Sequence, residues 1–291
     1  MSTQHPHYQP PAEPSKIDFV KKLLRQTAHD LTQPETYTLD HAKVLLQRGK
    51  RAAGLAKSVV MGVSYTHRIK DRPTSNEQVS HYLQLVCQQA CRALQVEVIP
   101  LKPIPQELAL WTCNHISWLD IAVVGSIIPT FFISKAEIAD WPIMGKVTQA
   151  AKTLYIKRGS GDSGYVSRLM AQDLEAGKPL IFFPEATTSD GTGILPLHGK
   201  LLQSAMDTQT PIQPILITYV NADGKLDDMI PYTDMTMAES IQRIVDNRPS
   251  KAYILPLDKI EPADHTRDEL TAMLQAAMID GLQRMHAQVL S

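Results

Sequence analysis

The sequence predicts an α/β fold: a central sheet, parallel or mixed, flanked by helices and preceded by a basic helical arm. Three observations predict it. Short apolar runs alternate with stretches of helical periodicity from about residue 79 to the end of the chain, the pattern of strands joined by covering helices. Several of those runs stop at polar, chemically capable side chains, as strand ends of such sheets do where they meet a ligand. The segment His41 to Lys70 contains no acidic residue and interleaves basic with apolar positions.

Taken in order, Met1 to Pro14 is polar and carries Pro6, Pro10, Pro11 and Pro14. This composition is that of a disordered lead, which we extend over 1–40. The arm, 41–72, places Lys43, Arg48, Lys50, Arg51, Lys57, Arg68 and Lys70 among Val44, Leu45, Leu55, Val59, Val60, Met61 and Val63. A basic segment with an apolar face can lie on an anionic membrane surface. From charge alone, a helix packed on its own domain with a solvated basic face is favoured. Asp71 to Asn76 is rich in breakers and divides the arm from a core at 76–291.

The core opens with a helix whose apolar positions Val79, Tyr82, Leu83, Val86, Cys87, Ala90, Cys91 and Leu94 recur at three and four residues. Strands are expected at Val96–Ile99, Leu108–Cys113, Thr130–Ile133, Thr153–Ile156, Leu180–Phe183, Ile212–Tyr219 and Ala252–Leu257. Helices are expected near 118–128, 142–150, 163–176, 198–207, 236–246 and 266–288.

Composition narrows the function. The 291 residues are 43% hydrophobic and 20% charged with a formal net charge of -1, which gives no reason to expect a nucleic-acid partner. Three cysteines occur without zinc spacing. Cys87 and Cys91, four apart on a periodic helix, read as buried thiols, and a reducing cytoplasmic setting fits best. No signal peptide is visible, and the longest apolar stretch, Ile121 to Ser134, is interrupted by Pro129 and falls short of the roughly 18–20 residues that cross a bilayer.

Chemistry concentrates in three blocks. In Thr112-Cys113-Asn114-His115-Ile116-Ser117-Trp118-Leu119-Asp120, a histidine and an aspartate five residues apart follow an apolar strand. A histidine can take a proton near neutral pH, and a neighbouring carboxylate fixes its tautomer and stabilises its charged form. Such a dyad can activate a hydroxyl for attack on an acyl carbonyl with no enzyme nucleophile. The second block, Thr153-Leu154-Tyr155-Ile156-Lys157-Arg158-Gly159, ends a strand in two cations, and Arg offers a planar fork to phosphate or carboxylate. The third, Phe182-Phe183-Pro184-Glu185-Ala186-Thr187-Thr188-Ser189-Asp190-Gly191, delivers Glu185 to the sheet edge ahead of a hydroxyl-rich loop. Taken singly, the second and third blocks read as ordinary surface and turn.

In combination and order, these blocks resemble those of the glycerolipid (lysophospholipid) acyltransferase family, which includes bacterial 1-acylglycerol-3-phosphate acyltransferases. Asn114-His115 with Asp120 is similar to the first family block, Tyr155-Ile156-Lys157-Arg158 to the second and Phe183-Pro184-Glu185-Ala186-Thr187 to the third. Ile212-Gln213-Pro214-Ile215 is similar to the fourth, so the resemblance spans roughly residues 95–220. It implies His115 as general base, Asp120 as its orienting partner, and an acyl thioester donor on coenzyme A or acyl carrier protein. The acceptor would be a lysolipid, bound through Glu185, Thr187, Thr188, Asn114, Lys157 and Arg158. No metal or bound cofactor is required, and the setting would be peripheral, on the cytoplasmic face of a membrane.

Two departures bear on the acceptor. Ala186 replaces the family's glycine, and Thr188 stands where the third block carries an Arg tied to acceptor phosphate. The expected acceptor is 1-acylglycerol-3-phosphate, with Arg158, Lys157 or Lys200 supplying the cation, and a phosphate-free lipid such as lyso-ornithine lipid is the alternative. Family members acting on the latter have a similar hydroxyl-rich third block.

Three other functions compete. Gly161-Asp162-Ser163-Gly164 mimics the nucleophile motif of chymotrypsin-like proteases, but helix-alternating strands and a His–Asp gap of five exclude that fold, and a helix N-cap explains the motif. A non-catalytic lipid-binding protein could have lost His115 or Asp120, and both are present. A thioester hydrolase would use the same base with water as acceptor. His198 is expected as a surface or capping residue, Cys113 as a packed thiol, and Trp118 as a packing aromatic able to wall the site.

Overall fold

The computed structural model describes residues 39–70, 74–136, 139, 148–149, 153–156 and 163–291. The lead before residue 39, the helix expected near 142–150 (apart from 148–149) and the Lys157-Arg158 pair lie outside the described residues.

Every expected strand forms: β1 (Val96–Pro100), β2 (Leu110–Cys113), β3 (Phe131–Lys135), β4 (Leu154–Ile156), β5 (Leu180–Phe182), β6 (Ile212–Val220) and β7 (Ser250–Pro256). They make one seven-stranded sheet in the order β1-β7-β6-β2-β5-β3-β4. From β6 to β4 all neighbours are parallel. β7 runs antiparallel to β6 and carries β1 parallel beside it, so the sheet is mixed. The five parallel strands therefore release their following loops at one common edge.

The helices are α1 (Leu39–Lys70), α2 (Asn76–Leu94), α3 (Leu119–Ile127), α4 (Ser163–Glu175), α5 (Gln203–Thr208, after a 3-10 turn at Gly199–Leu202), α6 (Met237–Asp246) and α7 (Arg267–Val289). Their starts are written locally. Ser75 with Gln78, Thr236 with Glu239 and Thr266 with Glu269 form reciprocal capping boxes at α2, α6 and α7, satisfying amides that the first turn leaves open.

The helices bury the two faces of the sheet separately. On one face Trp111, Cys113, Ile181, Ile215, Ile217 and Tyr219 pack with residues of α2, α3 and α6. On the other, Leu110, Phe131, Leu180, Phe182 and Leu216 pack with α4, α5 and α7. The alternation of strand side chains is clearest in β6, where all nine residues are buried. Full burial of an apolar side chain contributes about 1.5–3 kcal/mol.

The arm is one continuous helix, packed along α2. Gly54 makes the close approach possible, because a Cβ there would sit 2.7 Å from that of Ala93. Tyr65 stacks on Tyr82 with ring centroids 4.5 Å apart. Arg51 and Ser58, seven residues apart, are buried on the inner face. Much of the arm's apolar surface thus packs on its own domain. The exposed side carries Lys50, Lys57 and Arg68 together with Leu46 and Val60, while Val44, one heptad before Arg51, is exposed near the start of the helix.

Candidate active site

The edge where the parallel strands release their loops gathers His115 after β2, Glu185 after β5 and the segment after β6. β2 ends at Cys113, but the pairing with β6 continues through a side chain. Asn114 accepts from the Ile217 amide at 2.8 Å and donates to the Ile217 carbonyl at 3.0 Å. Fully buried, Asn114 spends its amide on the sheet and fixes where the chain leaves it. The sequence pointed this residue at a substrate, but its partner is main chain.

His115 leads the turn into α3. Its Nδ1 lies 2.8 Å from Asp120 Oδ2, which assigns the proton to Nδ1 and the lone pair to Nε2. The same oxygen accepts from the Ile116 amide at 2.7 Å and the Ser117 amide at 2.9 Å. Asp120 Oδ1 accepts from the Tyr219 hydroxyl at 2.8 Å. Asp120 is wholly buried in the first turn of α3, a setting whose partial positive charge favours a carboxylate. The imidazole keeps 19% of its side-chain surface exposed and stacks on Phe183, 4.1 Å between centroids and 16° from parallel. One edge of the ring is fixed by charge and one face by an aromatic, and among the described residues the other nitrogen has no hydrogen-bond partner.

Glu185 is buried and faces main chain. Oε1 accepts from the His115 amide at 2.7 Å and Oε2 from the Leu195 amide at 2.9 Å. Burial pushes its carboxyl above the ordinary range, against the pull of those two amides. Expected at the acceptor, Glu185 instead ties the turn that carries His115 to the loop that follows the third block. That loop is sewn in at further points. The Ser189 amide donates to the His115 carbonyl at 2.7 Å, and the Tyr232 amide donates to the Ile116 carbonyl at 2.9 Å. The Thr188 hydroxyl donates to the Tyr232 carbonyl, while Thr187 is exposed. Three loops thus form one rigid rim around the dyad.

Of the remaining candidates, His198 and Lys200 are exposed at the 3-10 turn. Cys113 is a buried thiol, pushed well up by burial, as are Cys87 and Cys91. Trp118 anchors α6 by donating to Ser240 Oγ at 3.0 Å. Among the described residues no three His, Cys, Asp or Glu converge as metal ligands. A cavity of about 210 Å³ lined by Leu108, Trp111, Ile128 and Pro179 opens at the opposite edge of the sheet, ahead of β2, β3 and β5. It has no part in the dyad.

Sequence reasoning did not single out Tyr219, or the stacking of Phe183. A signal for Tyr219 existed: Ile215, Ile217 and Tyr219 alternate along β6, so they share the face that α3 covers.

Comparisons with known proteins identify the family and the fold. Residues 95–218 match the family model described as Acyltransferase. The chain is 35% identical over 189 residues to the lyso-ornithine lipid O-acyltransferase of Pseudomonas aeruginosa, covering 65% of this chain and 73% of that protein. It is 34% identical over 183 residues to the 1-acyl-sn-glycerol-3-phosphate acyltransferase of Neisseria gonorrhoeae, covering 62% and 71%. The crystal structure of the 1-acyl-sn-glycerophosphate acyltransferase of Thermotoga maritima shares the fold, with a TM-score of 0.62 at 17% identity over 84% of this chain and 97% of that one. The His–Asp dyad thus sits within a matched domain, and the chain belongs to the acyltransferase family.

Proposed function

We propose that this enzyme moves a fatty acyl group from an acyl thioester, carried by coenzyme A or acyl carrier protein, to the free hydroxyl of a lysolipid. His115 Nε2 takes the hydroxyl proton as the oxygen attacks the thioester carbonyl, and Asp120 stabilises the imidazolium that forms. Collapse of the tetrahedral intermediate breaks the carbon–sulfur bond. The proton then passes from His115 to the departing thiolate, leaving ester, thiol and neutral histidine. No metal or resident cofactor enters these steps. The observation that carries the reading is the 2.8 Å bond from His115 Nδ1 to a buried Asp120, with the ring still partly open to solvent.

For the acceptor we favour lyso-ornithine lipid over 1-acylglycerol-3-phosphate. Thr188 stands where the related third block carries a phosphate-binding Arg, and its hydroxyl is engaged by the Tyr232 carbonyl. An uncharged residue there suits a headgroup without a phosphate. The relative from Pseudomonas aeruginosa is named for the same acceptor.

The enzyme would work as a peripheral protein at the cytoplasmic membrane surface. No helix among the described residues is long and apolar enough to cross a membrane. In support, Leu46, Lys50, Lys57, Val60 and Arg68 on α1 fall within roughly 100° of one another around the helix axis. Their centre lies roughly 120° around the axis from the buried Arg51 and Ser58. A basic face bearing isolated apolar side chains suits an anionic lipid surface.

Acyl transfer from palmitoyl thioester to a panel holding lyso-ornithine lipid and lysophosphatidic acid tests the reading, with free fatty acid followed in parallel. A diacyl product formed by the native chain, and reduced at least about 10³-fold in His115→Ala, is expected, with lyso-ornithine lipid the better acceptor. Thioester loss only to free acid would make the enzyme a hydrolase. Substantial transfer by His115→Ala would remove the base.

A further inference from the structure

We propose that Tyr219 is a positioning residue of the transfer reaction, acting through Asp120; the inference rests on the reading of His115 as base. Asp120 uses its two oxygens unequally. Oδ2 receives His115 Nδ1 and the amides of Ile116 and Ser117, whereas Oδ1 receives the phenol of Tyr219 at 2.8 Å. Three donors crowded on one oxygen leave a carboxylate free to pivot about its Cβ–Cγ bond, sharing those donors between both oxygens. Such a pivot would draw Oδ2 off the axis of the imidazole N–H. The phenol blocks it, because any rotation that shifts Oδ2 also breaks the bond at Oδ1.

The site is built for that bond. Asp120 has no exposed surface and Tyr219 2%, so no water replaces a lost donor. Tyr219 projects from β6, one of the most deeply buried strands, so its ring is held by the sheet and not by the loops. Burial and the adjacent Asp120 carboxylate push the phenol well above its ordinary range, so it stays protonated and donates at any working pH. Cys113 and Cys91, the neighbouring thiols, are likewise held neutral, the latter pushed up to about 12. The phenol touches no reacting atom. Its effect is to keep the oxygen that orients His115 in one place.

Tyr219→Phe removes one hydroxyl and keeps the shape. Since a misplacement near 1 Å costs about 100-fold, kcat should fall about 10- to 100-fold, with both KM values within about twofold. The downfield proton resonance of His115 Nδ1–H should shift. In an Asp120→Asn background the same change should alter kcat less than about twofold, because the group it acts through is gone. A protein that merely lost packing would change KM with kcat, and would lose activity equally in both backgrounds. Site-specific 3-fluorotyrosine at 219, which keeps the hydroxyl and makes it a stronger donor, covers the case in which Tyr219→Phe does not fold. It should move the His115 resonance in the direction opposite to loss of the donor in the Asp120-bearing enzyme. Wild-type kcat with an unshifted resonance in Tyr219→Phe would overturn the proposal, as would an undiminished effect in Asp120→Asn or no shift with fluorotyrosine. If the native protein transfers no acyl group at all, the reading of the function fails instead, and the resonance still reports whether Tyr219 holds the dyad.

Discussion

Ala186 follows the glutamate that binds the His115 amide, and its φ is +58°, in the left-handed region. A Cβ in that region costs about 1–2 kcal/mol, whereas glycine adopts it freely at a folding cost of about 0.5–1 kcal/mol in lost chain entropy. The first effect exceeds the second, so the rim of the site carries strain. It is held in place by the bonds on either side, Glu185 to the His115 and Leu195 amides and the Ser189 amide to the His115 carbonyl. Ala186→Gly should raise stability by about 0.5–1 kcal/mol, visible as a higher urea midpoint at unchanged slope, with the transfer rate conserved. A lower midpoint would mean that the loop adopts another conformation. The departure from the family's glycine was readable in the sequence. That the chain keeps the glycine-like backbone there was not, because φ is imposed by bonds that span up to 74 residues.

The arm shows how packing sorts charges that the sequence presents as equivalent. Of its basic residues, Arg51 alone among the described side chains is buried. Its guanidinium reaches Gln95 Oε1 through Nε at 3.1 Å and Nη2 at 2.6 Å, and the Val245 and Asn247 carbonyls through Nη1. Arg48 adds an ion pair with Asp246. Gln95 closes α2 and Asn247 closes α6, so one side chain joins the arm to the negative ends of two helices. Arg51→Met keeps most of the buried stem but strands those carbonyls. At about 1.5–3 kcal/mol for a hydrogen bond to a charged group, a loss near 3 kcal/mol is expected, together with faster hydrogen exchange across α1. Arg51→Lys should restore only part of it, since an ammonium lacks the fork. Equal stability of the methionine variant would show that Gly54 and the Tyr65–Tyr82 stack hold the arm unaided.

At the scale of the whole molecule, the alternation of apolar runs and helical repeats located the strands and most helices to within a few residues, since burial on two faces dictates that pattern. The direction of β7 was not legible. Its apolar run does not encode from which edge the chain enters, and the segment 221–236 followed by α6 brings it in opposite to β6. His115 and Asp120 were legible because one turn brings them together. Tyr219, 99 residues from Asp120, and the engagement of Asn114 and Glu185 with main chain were not, because each depends on which strands lie side by side. The arm's charge was legible too, and its placement beside the catalytic domain leads to a prediction about the assembled enzyme. If the face bearing Lys50, Lys57 and Arg68 seats the protein on anionic lipid, each cation contributes about 1 kcal/mol near the surface. Exchanging all three for Glu should then abolish sedimentation with phosphatidylglycerol vesicles at low salt. It should also lower the ratio of turnover on vesicle-borne lysolipid to turnover on a short-chain soluble acceptor by at least about tenfold. In the native enzyme raised salt should lower the same ratio, because exposed charges are screened within about 10 Å at 0.1 M. A variant that keeps the native ratio would place the lipid contact on another face of the molecule. A variant that loses both activities together would instead mean that the arm supports the fold of the site itself, through α2 and the Arg51 junction.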